Sequence, residues 1–102
     1  MTVSSVETFT EEFVGVWAEG YPFQPHEQTK RIIRFAQQHG FELAFDLDEA
    51  YASFLSWDYQ EFEAIAEVRD EAIDYLQSMS NDKVVWGYDN TQDNHFGLWL
   101  KN

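Results

Sequence analysis

Cysteine is absent from this 102-residue chain, and with it go a disulfide framework, a thiolate metal site and a cysteine nucleophile. Cations are scarce: six Lys and Arg stand against nineteen Asp and Glu, for a formal net charge of −13. Affinity for phosphate comes from Lys and Arg, so direct binding to nucleic acid is not expected. Internal repeats, low-complexity segments and linkers long enough to separate domains are all missing. No apolar run approaches membrane-spanning length, and the first twenty residues carry Glu7, Glu11 and Glu12 without a basic n-region. These lacks lead to the expectation of a soluble cytoplasmic protein.

What is present is enough apolar surface for a core. Hydrophobic residues make up 44 % and aromatics 18 %, with four Trp, five Tyr and nine Phe, which argues against a disordered acidic tail. A chain of this length buries roughly 60 to 70 % of the surface it exposes when unfolded. Residues 1–102 are therefore read as one domain, with the polar residues 1–7 expected to fray. A charge of −13 destabilises a compact state by self-repulsion, so it points either to a high-salt habitat or to a positively charged partner. Its distribution favours the partner, because halophilic surfaces spread their acids over the whole molecule. Residues 42–75 hold eleven acids against one base, Arg69, and so carry −10. Residues 1–41 carry −2 and residues 76–102 carry −1.

Taken in order, Thr8-Phe9-Thr10-Glu11 reads as a capping box opening a short helix, with Phe9, Phe13, Val16 and Trp17 at helical spacing and Gly20 as its end. Tyr21-Pro22-Phe23-Gln24 is a stiff connector. Pro25 suits the first turn of a second helix whose apolar side is Ile32, Ile33, Phe35 and Ala36, ending at His39-Gly40. Its Lys30, Arg31 and Arg34 form the only basic surface. They are read as partners of the acidic block, with a small anion site as the alternative. Phe41-Glu42-Leu43-Ala44-Phe45 alternates like a strand with Phe41, Leu43 and Phe45 inward. Asp46 with Glu49 then caps a third helix, 48–56, that buries Tyr51, Phe54 and Leu55. A calcium loop is excluded there, since Ala50 and Tyr51 occupy positions that need a ligand and a glycine.

Asp58 and Glu61 cap a fourth and longest helix, to Ser78. At about 100° per residue it places Phe62, Ile65, Val68, Ala72, Ile73, Tyr75 and Leu76 on one side and Glu63, Glu67, Asp70, Glu71 and Asp74 on the other. Beyond it, residues 83–89 and 95–101 have period 2 and many aromatics, and Asn90 to Asn94 supply turn chemistry, so a C-terminal β-hairpin is expected. The fold class is α+β: four helices, one of them long, acidic and amphipathic, on a small antiparallel sheet formed by the hairpin and the 41–45 strand.

No catalytic signature stands out; the nearest thing to a polar dyad is His95 beside Asp93, read first as a solvated turn histidine. Asp46 and Asp48 point apart at a helix start, and His26, His39 and His95 are scattered without a His-x-x-x-His pair. Neither a metal nor a cofactor is expected. The acidic helix face says more. From Glu63 to Asp74 is about 16 Å of axis with five carboxylates, one charge per ~3.3 Å, while a DNA strand carries one phosphate per ~3.4 Å. Such a face is either simply solvated or a stand-in for phosphate toward a basic protein. Trp57 and the hairpin rings Trp86, Tyr88, Phe96 and Trp99 supply aromatic anchors, though sequence does not separate core rings from interface rings.

The stretch Glu11-Glu12-Phe13-Val14-Gly15-Val16-Trp17, followed by Pro22, resembles the Gly-x-Trp segment that precedes a proline in DNA-mimic antirestriction proteins of mobile elements. The whole composition is similar to that of small acidic proteins of phages and mobile elements that block restriction, CRISPR or host DNA-binding enzymes. The resemblance implies a non-catalytic inhibitor of a basic nucleic-acid-handling protein such as a nuclease, restriction or CRISPR complex, or polymerase. Glu63, Glu67, Asp70, Glu71 and Asp74 would bind that partner, with Asp46, Asp48, Glu49 and Trp57 as extensions. Two alternatives stand beside it: an immunity-type antidote to one toxic nuclease, and a small enzyme or ligand-binding domain built on the aromatic hairpin and His95.

Overall fold

The computed structural model describes residues 8–18, 25–89 and 95–101. Residues 1–7, residues 19–24 with Gly20 and the expected connector up to Gln24, the turn expected at 90–94, and Asn102 lie outside them. The class is α+β. A 3-10 turn at Glu11–Phe13 leads into β1 (Gly15–Ala18), followed by α1 (Pro25–Gln38), α2 (Leu47–Tyr51), a second 3-10 turn at Phe54–Ser56, α3 (Tyr59–Ser78), β2 (Val84–Asp89) and β3 (His95–Leu100). Among the described residues there are thus three α-helices, not the four expected. The sheet is antiparallel throughout, in the order β1-β3-β2.

The N-terminal segment is where expectation and structure differ most. Thr8 opens no helix, Thr10 caps the 3-10 turn without a side-chain hydrogen bond, and residues 15–18 are a strand. Gly15 has φ 148°, a conformation outside any helix, and Val16 and Trp17 are better strand than helix formers. A helix this short is marginal alone, whereas the strand pairs Gly15 with Leu98 and Val16 with Gly97. Close approach requires Gly97: a Cβ there would collide with the carbonyl oxygen of Gly15. A register shift at Trp17 turns its ring to the helix side, 5.0 Å from Phe35, while Ala18 stays buried opposite Phe96. Phe9 inserts into the core, its amide donating to the Met79 carbonyl and its carbonyl accepting from Asn81.

Because β1 takes the third place in the sheet, residues 41–45 do not form the expected strand. Their alternation survives only in part: Phe41 and Leu43 pack on the core, while Phe45 is exposed. α1 ends as predicted. Gly40 at φ 104° lets its amide donate to Gln37 and the Phe41 amide to Ala36, satisfying two orphan carbonyls of the last turn. The Tyr75 hydroxyl of α3 donates to the His39 carbonyl at 2.7 Å, locking that corner to the longest helix.

The core joins both helices to one sheet face. Ile32, Ile33 and Ala36 of α1 and Ile65, Ala72 and Leu76 of α3 lie buried with Val84, Trp86, Phe96 and Leu98 of the sheet. Strand register settles the hairpin-region rings. Trp86 and Phe96 are core, stacked at 5.5 Å, whereas Tyr88 is 39 % exposed and Trp99 lies on the opposite sheet face with its Nε1 donating to the Gly87 carbonyl. The free edge of β2 is covered by Gln77, whose amide accepts from the Trp86 N–H at 2.9 Å and donates to the Val84 carbonyl at 3.1 Å. That side chain substitutes for a neighbouring strand and blocks edge pairing.

Candidate functional site

α3 is the platform of the site, and its start is built as the sequence dictates. The Asp58 carboxylate accepts from the Glu61 amide at 2.9 Å, and the Glu61 carboxylate accepts from the Asp58 amide at 3.3 Å, a complete capping box. Ile65, Ala72 and Leu76 are buried, so the side about half a turn away must face solvent. Glu63, Glu67, Asp70, Glu71 and Asp74 are there, and all five are exposed.

They are not equivalent. Arg69 donates through both Nε and Nη2 to Asp70 Oδ1 at 3.1 Å, which neutralises one charge of the stripe. The other four have no hydrogen bond or ion pair among the described residues. The free charge density is therefore about one per 4 Å over the ~16 Å of axis, slightly sparser than a count of carboxylates suggests.

The extensions separate further. Asp46 is committed to structure as the N-cap of α2, accepting from the Glu49 amide at 3.0 Å. Asp48 faces α1, where Arg34 Nη2 donates to its Oδ1 and Lys30 Nζ lies 3.5 Å away. The basic surface of α1 is thus spent on the acidic block for those two cations, as the plainer expectation had it. Glu49 is exposed beside Phe45 and Ala50. Trp57 is half-buried, its ring 5.0 Å from Tyr51 and 5.2 Å from Phe62.

α2 is shorter than expected, ending at Tyr51, and the 3-10 turn that follows leaves Leu55 90 % exposed where burial was expected. Sequence reasoning therefore missed an apolar groove between this segment and the first half of α3. Phe45, Ala50, Trp57, Ala64, Ile65 and Val68 line most of a space of about 260 Å³. The signal was present in the density of large apolar residues at 54–62, but a helix assigned to 48–56 placed Leu55 inward and left Trp57 as an isolated anchor at its break.

Buried and tethered groups shift as their surroundings require. Burial pushes the Tyr51 phenol up to about 12, with the Glu27 carboxylate adding to the shift and Arg69 opposing it. Burial likewise raises the phenol of Tyr88. Glu11, which no helix cap uses, is instead held below the usual carboxylate range, chiefly by the Asn81 amide at 2.6 Å and to a lesser degree by Lys83. None of the site carboxylates forms a cleft around a second reactive group. Among the described residues no cluster of three or more His, Asp or Glu is placed to hold a metal ion, and no helix is long and apolar enough to cross a membrane. Compared with known protein families, curated proteins and solved structures, the chain matches none.

Proposed function

We propose that this protein is a non-catalytic acidic inhibitor that occupies the basic nucleic-acid-binding surface of a partner protein, in the manner of anti-restriction or anti-CRISPR proteins. The observation that carries the reading is the run of Glu63, Glu67, Glu71 and Asp74, four exposed carboxylates without a cation on one rigid helix. Like charges four residues apart destabilise a helix by a few tenths of a kcal/mol per pair. Lys at the intervening exposed positions would relieve that cost, and here it is absent. A surface that keeps such repulsion presents a field to something positive, raising the rate of encounter and rejecting partners of the wrong sign.

The test is capture of partners from a bacterial lysate on the immobilised protein, with elution by a salt gradient and identification by mass spectrometry. The expected result is one nuclease, polymerase or DNA-binding complex that elutes with rising ionic strength and is displaced by duplex DNA. The double variant Glu67→Lys with Glu71→Lys is expected to abolish that capture while far-ultraviolet circular dichroism stays unchanged. Asp70 is left out because Arg69 already answers it. Undiminished capture by the folded double variant would overturn the reading.

A further inference from the structure

The groove between α2 and α3 adds an apolar component to an otherwise electrostatic surface. Its space of about 260 Å³ falls below the ~300 Å³ at which pockets for drug-sized ligands begin. It has room for one or two large side chains. Its floor is Ala64, Ile65 and Val68 of α3, and its walls are Phe45 and Trp57, the latter braced from behind by Tyr51 at 5.0 Å. Two of its apolar side chains stand partly in solvent: Phe45 of the wall and Phe62, which packs on Trp57 at 5.2 Å, are each about two-fifths exposed.

The rim decides the occupant. Glu61 lines the groove itself, and a second depression with Asp46 and Glu49 on its walls continues from it across Phe45 and Ala50. Among the described residues no Lys or Arg lines either space. The cations on the neighbouring helices are already engaged: Arg69 of α3 is held by Asp70, and Lys30 and Arg34 of α1 by Asp48. A second copy of this chain brings another charge of −13, and an anionic membrane surface is likewise repelled. On α3 the groove side begins at Ala64, next around the helix from Glu67 and Glu71, so groove and acidic stripe form one continuous surface.

We propose that this groove seats a large apolar side chain of the partner protein, borne on a segment in which that side chain is flanked by Lys or Arg. The proposal rests on the reading above and deepens it. The anchor supplies affinity from a desolvated pocket, and the flanking cations meet Glu49 on one side and the α3 stripe on the other, with the capping carboxylates Asp46 and Glu61 adding to the negative potential of the rim.

The experiment uses the full chain and two synthetic peptides rich in Lys and Arg, identical except that one carries a central Leu and the other Ala. A third peptide carries the Leu among Gln and Ser. Binding is read by titration calorimetry at low and high salt. The Leu peptide is expected to bind roughly ten- to a hundredfold more tightly than the Ala peptide, the gain from burying one large apolar side chain. Ala64→Trp, at an exposed helix position that fills the groove without changing charge, is expected to remove that difference and leave both peptides bound weakly and salt-sensitively. Phe45→Ala, at a half-exposed wall of the groove, is a milder second variant, expected to reduce the difference in part. Equal binding of the Leu and Ala peptides overturns the groove proposal while leaving the acidic-face reading standing. Failure of both basic peptides to bind at low salt overturns both. Binding of the uncharged Leu peptide as tight as the basic one overturns the basic occupant. Self-association that Ala64→Trp abolishes assigns the groove to a second copy and also overturns it.

Discussion

Asp48 and Glu67 belong to the same acidic block, yet their surroundings are opposite. Asp48, in the first turn of α2, meets Arg34 and Lys30 of α1. Glu67, in the middle of α3, projects into solvent one turn from Glu63 and one turn from Glu71. Where a helix of opposite sign packs alongside, acidic charge is spent on a contact between α2 and α1. Where none does, the charge is left as an outward field. The net charge of a segment therefore overstates what it offers a partner, and only the second kind of carboxylate belongs to a recognition surface.

Breaking the corner that holds the basic helix in place has the largest expected effect. Gly40→Ala puts a side chain at φ 104°, with its Cβ 2.7 Å from the Tyr75 hydroxyl. It is expected to destabilise the fold by about 1–3 kcal/mol in urea denaturation. Asp58→Ala removes the capping box under the acidic stripe and should cost about 1 kcal/mol by the same measurement. The next two variants should differ in sign. Glu67→Gln relieves repulsion with both Glu63 and Glu71, so it should stabilise by roughly 0.5 kcal/mol at low salt, a gain that fades as salt is added. Asp48→Asn loses a surface ion pair and should destabilise by a few tenths of a kcal/mol. Two effects of the same sign would collapse the distinction between paired and free acids.

The smallest effect near neutral pH comes from Tyr51, which packs beside Trp57 and under Lys30 on the paired side. Its phenol is raised to about 12 in the folded state from an unfolded value near 10. The protonated phenol therefore contributes stability in full below pH ~10, and that contribution is lost as pH climbs toward ~12. Tyr51→Phe should flatten the alkaline decline in stability, and the same substitution should remove a phenolate absorbance step that lies above the ordinary tyrosine range.

Much of the helical architecture is legible along the chain because its signals are local. Pro25 at the start of α1, Gly40 at its end, Asp46 with Glu49, and Asp58 with Glu61 act within one turn, and each is where the sequence pattern puts it. The antiparallel pairing of residues 84–89 with 95–100 follows equally from period-2 patterning. The segments misread are those whose structure depends on a distant partner. Residues 15–18 carry helical spacing but pair with β3 some eighty residues later, where Gly97 admits them. Residues 41–45 carry strand alternation but have no ladder to join.

The sequence alone determined the charge, its concentration in residues 42–75, and the opposition of acidic and apolar sides on α3, since helical period needs nothing beyond the chain itself. Tertiary structure decided which strand completes the sheet, which rings are core, which carboxylates α1 and Arg69 neutralise, and that a groove lies open between α2 and α3. Those outcomes turn on contacts between residues far apart in sequence, where loop closure and steric fit choose among partners that local propensity leaves equal.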